Sequence, residues 1–258
     1  MTNIKTEAII IKQFDLGESD KIITTYTKDY GKIRAVARGV RKSKSPISGT
    51  VLPFNYNYMT FYQGRSMPRI NQVKNIYSFT NLREDLNKMA YASYMAELVD
   101  KVGLENAPNQ ALFSLLLSNF YQLGKSENDD LKYLDVIYNI KVLAVLGLNP
   151  ELEHCVFCNR ELSYYQKNIF NIEHGGLECQ DCYKSHREEK ELYRHIILGE
   201  TIQIIKKILS SGLKPLLNIK ISDRAYQELE QVINRFIVYH LDIKLNSYEF
   251  LNMIKKLG

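Results

Sequence analysis

The sequence predicts an α+β protein, in which a small β-barrel precedes an all-helical domain, and three observations support this prediction. Residues 1–80 contain five segments rich in β-branched and aromatic residues, with no helical pattern between them. From residue 80 onward, apolar residues recur at a spacing of three to four, which is typical of helices. The four cysteines form two C-x-x-C pairs within the helical part. We therefore expect two domains, residues 1–80 and 81–258, with an insert at about 152–186.

Five strand-like segments make up the predicted N-terminal domain. They lie at residues 5–14, 21–27, 31–38, 51–62 and 69–77. In the third segment basic and apolar residues alternate, so Lys32 and Arg34 are predicted to lie on the face opposite Ile33 and Ala35. Five strands in about 75 residues, with no helix between them, favour the five-stranded Greek-key OB barrel. The loops and one face of that barrel often bind oligonucleotides.

Helices are predicted for most of the remaining chain. They lie at residues 80–99, 108–124, 129–147, 192–210, 222–241 and 246–256. Gly147, Pro150 and Gly212 mark breaks between them. No apolar run approaches 18 residues, so we expect no segment that spans a membrane.

The two C-x-x-C pairs have the spacing of a zinc ribbon. Each C-x-x-C turn can direct two sulfurs at one ion, and two such turns complete a tetrahedron of thiolates. The predicted zinc ligands are Cys155, Cys158, Cys179 and Cys182. Because four thiolates leave no coordination position for water or substrate, we expect one structural zinc ion.

Other states of the four cysteines are two disulfides or four unpaired thiols. Disulfides are typical of oxidising compartments and small chains, whereas this chain has 258 residues and begins without the pattern of a signal peptide. We therefore expect a cytoplasmic protein with reduced thiols. His154, His174 and His186 lie nearby, and one of them could replace a cysteine, but surface loop positions explain them better.

The positive charge of the chain is concentrated in its first third. The net charge is +5, yet residues 1–80 carry 13 basic and only 5 acidic residues. No acidic residue occurs from position 30 to position 83. This favours a polyanionic partner, nucleic acid above all. The alternatives are a solvated face neutralised by the acidic C-terminal part, and an anionic membrane.

The basic loop, which we define as residues 37–45, follows the third strand and is the main candidate to contact phosphates. Such a loop gives sequence-independent, salt-sensitive affinity, and Gly39 would allow close approach of the backbone. Aromatic side chains of the same domain could stack on bases, although most of them are expected to fill the barrel core. The candidates for stacking are Tyr30, Tyr56, Tyr58, Phe61 and Tyr62.

No catalytic motif is evident in the sequence. It has no G-x-x-x-x-G-K-[ST], G-x-S-x-G or H-E-x-x-H pattern, so we expect a non-catalytic protein. A group of N-terminal carboxylates could in principle hold a divalent ion, which leaves a metal-dependent nuclease as one alternative and an RNA-binding adaptor as another. The carboxylates are Glu7, Asp15, Glu18, Asp20 and Asp29.

Four stretches together resemble the RecO family of bacterial DNA repair proteins. They are residues 17–27, residues 30–45, the four-cysteine ribbon and, more weakly, residues 239–251. The resemblance extends in order over nearly the whole chain. It implies an OB fold, a helical C-terminal domain and a zinc ribbon within that domain. Some members of the family lack the full cysteine set, which implies that the metal supports the structure.

The resemblance also implies a recombination mediator of the RecF pathway, associated with the nucleoid. Such a protein binds single- and double-stranded DNA, anneals complementary strands and assists RecA loading. The implied partners are RecR, in some cases RecF, and the acidic, hydrophobic C-terminal tail of single-stranded-DNA-binding protein. The predicted DNA-binding residues are the matched basic positions and two arginines of the same acid-free stretch: Lys32, Arg34, Arg38, Arg41, Lys42, Lys44, Arg65 and Arg69.

Overall fold

The computed structural model describes residues 2–64, 66–127, 130–163, 168–186, 191–212 and 219–256. The chain forms two compact units. The first comprises Met1–Leu131 with Leu245–Gly258, and the second comprises Lys132–Lys244. The domain boundary expected near residue 80 stays a prediction, because this division groups the first three helices and the C-terminal helix with the barrel.

Five strands form the N-terminal sheet, as predicted. They are β1 (Thr2–Leu16), β2 (Asp20–Thr27), β3 (Gly31–Ala37), β4 (Tyr56–Gln63) and β5 (Arg69–Tyr77). The long strand β1 pairs with both β2 and β4, and a short parallel pairing of Val36 with Arg69 joins β3 to β5. The order β1-β2-β3-β5-β4 therefore returns to β1 and closes a barrel.

The barrel interior is apolar because alternate residues of each strand point inward. In β3 the buried side chains include Ile33 and Ala35, whereas Arg34 is exposed, which confirms the predicted alternation. Ten buried residues form the core cluster: Ala8, Ile10, Ile23, Ile33, Ala35, Ala37, Val40, Val51, Met59 and Phe61.

The predicted start of the fourth strand at residue 51 is wrong. Residues 51–55 form turns, and β4 begins only at Tyr56. The chain there bends into Phe54, whose φ of 72° lies in the left-handed region. Its backbone N–H donates to the Ile10 carbonyl at 2.8 Å, and the Asn55 carbonyl accepts from the Ile10 N–H at 3.0 Å. The buried Asn55 amide donates to the carbonyls of Gly49 and Thr50, so backbone groups inside the turn are satisfied.

Eight helices are described, and several differ from their predicted bounds. They are α1 (Thr80–Glu84), α2 (Leu86–Val102), α3 (Gln110–Lys125), α4 (Leu131–Val145), α5 (Gln180–Ser185), α6 (Gly199–Ser210), α7 (Asp223–Leu241) and α8 (Asn246–Lys255). The single helix predicted at 80–99 is two helices, because Asp85 is extended and its carboxylate caps α2 by accepting from the Lys88 N–H. No described helix is long and apolar enough to cross a membrane.

A three-stranded sheet lies in the second unit. We call this sheet, together with the four cysteines, the ribbon region. Its strands are β6 (Asn168–Asn171), β7 (Gly176–Glu178) and β8 (Arg194–Ile197), in the order β7-β6-β8. The helix predicted at 192–210 is therefore wrong in its first part, since residues 194–197 pair with β6. Residues 164–167, just before β6, lie outside the described chain.

Candidate nucleic-acid interface and metal centre

The four cysteines come together in the second unit. Their sulfurs all lie within 4.8 Å of one another, and all four cysteines are free thiols. The Cys158 and Cys179 sulfurs are 3.8 Å apart. Four thiolates at about 2.3 Å from a tetrahedral zinc ion would be separated by about 3.8 Å. The cluster therefore has the ligand number and the spacing for one metal ion, and it is not arranged as two disulfides.

Backbone amides around the cluster favour ionised sulfur. The Cys179 N–H donates to the Cys155 sulfur at 3.3 Å, and the Cys182 N–H donates to the Cys179 sulfur at 3.4 Å. Burial opposes ionisation of Cys155, but amide donors from Cys158, Cys179 and Phe157 outweigh it and lower the pKa of Cys155 to about 7. Burial raises the pKa of Cys182 instead. A bound cation would be needed to ionise the whole set near neutral pH.

Two ion pairs hold the surroundings of the cluster. Arg160 contacts Asp181 at 2.7 Å and so links the two C-x-x-C turns at the surface. The Arg194 guanidinium of β8 makes a bidentate contact with Glu178 of β7, at 2.9 and 2.7 Å, with both side chains buried. The paired charges fix the third strand of the sheet, which the sequence pattern had assigned to a helix.

The neighbouring histidines are not part of the cysteine cluster. His174 and His186 pack against the ring of Phe157, with centroid distances of 4.3 and 4.5 Å. The Nδ1 atom of His186 lies 2.9 Å from the Cys182 carbonyl oxygen. His154 lies beside Glu151. Among the residues described, only the four cysteines form a metal-binding group.

The basic loop is a series of hydrogen-bonded turns on the barrel surface. Its Gly39 N–H donates to the Asp20 carboxylate at 2.8 Å, and the Arg41 N–H donates to the Ser19 carbonyl at 3.0 Å. The first of these bonds is the main cause of the lowered pKa of Asp20. The turn between β1 and β2 therefore fixes the position of the loop.

The structure divides the predicted DNA-binding residues by their environment. Arg38, Lys42 and Lys44 are exposed, and none of them forms an ion pair within the described residues. Arg41 is different, because its guanidinium donates to the Gly17 carbonyl at 2.9 Å and lies 3.3 Å from Asp15. Three cations of the loop are thus exposed to solvent without an ion pair among the described residues, whereas Arg41 helps to hold the loop.

Lys32 is poorly placed to contact a polyanion. Its side chain is only 11% exposed, and its ammonium donates to the Asp100 carbonyl at 2.5 Å and lies 3.4 Å from the Asp100 carboxylate. Arg34 remains about half exposed and lies 3.6 Å from Glu105. Lys32 therefore connects β3 to α2, and we remove it from the DNA-binding set that we propose below.

The other two predicted arginines lie apart from the loop in sequence. Arg69 is exposed at the start of β5, where it pairs in register with Tyr62 of β4. Arg65 lies outside the described residues. Arg83 also belongs to the acid-free stretch, but its guanidinium donates to the Pro53 carbonyl and to the Asn55 side chain.

The aromatic residues that the sequence predicts to stack on bases also differ in their exposure. Phe61 is fully buried in the barrel core. Tyr56 is half-buried, and its hydroxyl donates to the Glu7 carboxylate. Tyr30, Tyr58 and Tyr62 are exposed, at 38%, 44% and 36%, so only these three can stack on a base.

The N-terminal carboxylates do not form a metal site in the described chain. Glu7 accepts from Tyr56 and Lys28, Asp29 accepts from Thr6, and Asp20 is engaged with the basic loop. Their partners are donors of the barrel itself, so the arrangement gives no support to a metal-dependent nuclease.

A cleft of about 500 Å³ in the first unit was not predicted from the sequence. Its walls come from β1, the turn at Phe54, α1, α2 and the start of α8, and they include Lys12, Arg83 and Glu97. These segments are far apart in the chain, so no local pattern indicates that they enclose a common space.

The chain combines a closed five-stranded barrel, an exposed cationic loop on that barrel, several helices and a four-cysteine centre. These features define a class of proteins, with a barrel and a cysteine ribbon, whose surface chemistry suits a polyanion. Two family models match the chain: Recombination protein O N terminal over residues 1–79, and Recombination protein O C terminal over residues 83–249. The chain belongs to the RecO family, which is a family of DNA repair proteins.

Curated relatives agree with the family models over the full length. The chain is 32% identical to the DNA repair protein RecO of Thermoanaerobacter sp. (strain X514), with 100% of both chains covered. It is also 32% identical to that of Bacillus subtilis (strain 168), over 98% of this chain and 95% of the relative. For Pelotomaculum thermopropionicum the identity is 33%, over 96% and 93%.

Proposed function

We propose that this chain is a non-catalytic recombination mediator that binds single- and double-stranded DNA, anneals complementary strands and assists RecA loading. The observation that carries the proposal is the set of exposed cations on the basic loop that form no ion pair within the described residues: Arg38, Lys42 and Lys44. The set lies within a 54-residue stretch that contains no carboxylate. The names of the relatives, which are DNA repair proteins, point to DNA as the polyanion.

Annealing follows from the same chemistry. Two complementary strands repel each other until their phosphates are neutralised, and cationic side chains on a rigid loop can supply that neutralisation. The step needs no nucleotide hydrolysis, which is consistent with the missing phosphate-binding motif. Arg34 and Arg69 are exposed cations outside the loop that extend the proposed contact.

The metal and the partners complete the proposal. The four-cysteine cluster is proposed to hold one structural zinc ion, because thiolates are its preferred ligands and no position is left open. The proposed partners are RecR, RecF and the C-terminal tail of single-stranded-DNA-binding protein, as in the family that the chain resembles. The proposed location is the cytoplasm, on the nucleoid.

The test is a salt series of binding to a labelled single-stranded DNA, followed by fluorescence anisotropy. The variant Arg38→Ala/Lys42→Ala/Lys44→Ala removes the free loop cations and leaves Arg41 in place. The slope of log K against log salt should become shallower by about 2, since about 0.7 is lost with each phosphate contact to a single strand. The rate at which labelled complementary strands anneal should fall in parallel.

A matched control removes three exposed lysines elsewhere: Lys101→Ala/Lys125→Ala/Lys184→Ala. This control makes the same change in net charge but leaves the basic loop intact. The slope of log K against log salt should therefore stay near that of the unaltered protein. Equal slopes for all three proteins would refute the assignment to the basic loop. Stronger binding of RNA than of DNA at matched salt would favour the RNA adaptor.

A further inference from the structure

Strand β4 presents two tyrosines on the outer surface of the barrel. Side chains alternate along the strand, and Met59 and Phe61 point into the core. Tyr58 and Tyr62 therefore point outward, where 44% and 36% of their surfaces are exposed. Thr60 lies between them in the strand, so a small side chain separates the two rings.

Cations from the neighbouring strands lie beside these tyrosines. In the register of the sheet, Lys74 of β5 is opposite Tyr58, and Arg69 of β5 is opposite Tyr62. Lys5 of β1 is opposite Thr60. All three cations are exposed, and within the described part of the chain none of them pairs with a carboxylate. We call this surface, formed by Lys5, Tyr58, Tyr62, Arg69 and Lys74, the tyrosine face.

A carboxylate beside this face, that of Glu7, is already paired with a cation. Glu7 of β1 is opposite Tyr58 in the register. It accepts a hydrogen bond from Tyr56 and lies 3.0 Å from the Lys28 ammonium. The Tyr56 bond is the main cause of its lowered pKa. The charge that remains for a ligand on the tyrosine face is therefore positive.

The tyrosine face and the basic loop differ in the part of a nucleic acid that they suit. The loop offers cations alone, which attract the phosphates of single or double strands alike. The tyrosine face combines cations with partly exposed rings, and a ring can stack only on a base that is not already stacked inside a duplex. The two tyrosines are four residues apart on one strand, about 13 Å, so each would contact a different base.

We propose that the tyrosine face is a second nucleic-acid site, which stacks unpaired bases and is specific for single strands. The proposal rests on the proposed function, in which the polyanion is DNA. The face differs from the loop site in its chemistry, and it gives the barrel a means to distinguish an unpaired strand from the duplex that annealing produces. Duplex product would keep its phosphate contacts and lose the stacking contacts, which favours its release from this face.

The first experiment compares a single-stranded oligonucleotide with an abasic one of equal length and charge. The unaltered protein should bind the normal strand about tenfold or more tightly than the abasic strand, because stacking is absent from the latter. The variant Tyr58→Ala/Tyr62→Ala should lose that difference and should keep its affinity for duplex DNA. The variant Tyr58→Phe/Tyr62→Phe retains both rings and should behave like the unaltered protein.

The second experiment is a fluorescence assay that uses the absence of tryptophan from this chain. Tyr58→Trp places a single indole on the tyrosine face, and its emission should be quenched by single-stranded DNA and little by duplex or abasic DNA. Leu86→Trp places the indole at an exposed position on α2, where its emission should not change. This measurement does not depend on removing a side chain from the barrel.

The outcomes distinguish a failure of the tyrosine face from a failure of the proposed function. Equal affinity for normal and abasic strands in the unaltered protein would overturn the tyrosine face and leave the basic loop untouched. Indole emission from the Tyr58→Trp variant that stays unquenched when DNA is bound would have the same consequence. If the unaltered protein binds no DNA at low salt, both proposals fail. A complete loss of single-strand binding in the loop variant, with the tyrosine face intact, would also overturn the tyrosine face.

Discussion

The barrel and the ribbon region of this chain are stabilised by different means. The barrel buries a continuous cluster of ten apolar residues. The apolar cluster of the ribbon region contains three of the four cysteines themselves, with Phe157 and Leu162 packed against them. An apolar core of that size is too small to stabilise a fold, and small metal-binding modules obtain their folding free energy from the ion. The comparison supports our proposals that the barrel binds the nucleic acid and that a metal ion at the four cysteines has a structural role.

The two regions also use charge differently. The ribbon region keeps one ion pair inside, since Arg194 and Glu178 are both buried. The barrel instead carries Arg38, Lys42 and Lys44 at its surface, where they form no ion pair among the described residues. Buried charges have to be paired, whereas exposed cations remain available to bind a polyanion.

The largest expected effect is the loss of the metal. Cys182→Ser removes one buried cysteine of the proposed metal site, and the ribbon region should unfold locally, because metal binding contributes about 10–16 kcal/mol in small zinc modules. Hydrogen exchange should show loss of protection in β6 and β7 with little change in β1 and β4. Elemental analysis should show that the bound metal is lost.

Treatment of the unaltered protein with a chelator is the control for that substitution, and it should reproduce the same pattern of exchange. Equal loss of protection in the barrel would contradict the comparison, because it would mean that the barrel depends on the metal for its stability.

The second prediction concerns Gly31, where the barrel meets the segment after α2. Its φ is +69°, and an added Cβ would lie 2.5 Å from the Leu104 carbonyl oxygen and 2.7 Å from that of Ala107. Gly31→Ala should therefore lower the free energy of unfolding of the barrel by about 3 kcal/mol or more. Urea unfolding followed by circular dichroism would measure this change.

Gly17→Ala is the matched control for the Gly31 substitution. Gly17 has a similar φ of +60°, but nothing lies within 4 Å of an added Cβ. Its cost should be limited to about 1–2 kcal/mol of backbone strain. If the two variants unfold at the same urea concentration, the close approach of Gly31 to residues 104–107 has no energetic importance.

The smallest effect is expected at Glu97, which holds the start of α8. Its carboxylate accepts from the backbone N–H groups of Asn246 and Ser247, at 3.2 and 2.7 Å. Burial opposes its ionisation, but these bonds and the Ser247 hydroxyl outweigh it and lower the pKa of Glu97 below 4.5. Glu97→Gln should lower the free energy of unfolding by about 1–2 kcal/mol at neutral pH.

The pH dependence of stability provides the check on Glu97. Because its pKa is lowered in the folded protein, its contribution is complete above the ordinary value of 4.5 and is lost as the pH falls through the lowered value. The difference in stability between the unaltered protein and Glu97→Gln should therefore shrink on acidification. A difference that stays constant from neutral pH down to about pH 3 would argue against a role for the charge.

Patterns that are local in the chain predicted the parts of the fold that depend on short spacing. The alternation in β3 and the strand-like composition of residues 1–77 predicted five strands, and the two C-x-x-C turns predicted that the four cysteines come together. Local patterns gave wrong predictions where residues distant in the chain determine the secondary structure. Residues 194–197 pair with β6 as a strand, and Asp85 interrupts a helical pattern because it is extended and caps the following helix.

The sequence by itself determined that the N-terminal third is cationic, that it forms strands, and that the four cysteines can share one ion. Only the tertiary structure decided which cations and aromatic rings are exposed and can contact a nucleic acid. Lys32 and Arg38 are alike in sequence context, but Lys32 is held by Asp100, 68 residues further along the chain. Phe61 is buried while Tyr58 and Tyr62 are exposed, because barrel closure fixes which face of β4 points inward. Whether a side chain can reach a ligand depends on the neighbours that folding brings together, and no local sequence pattern encodes those neighbours.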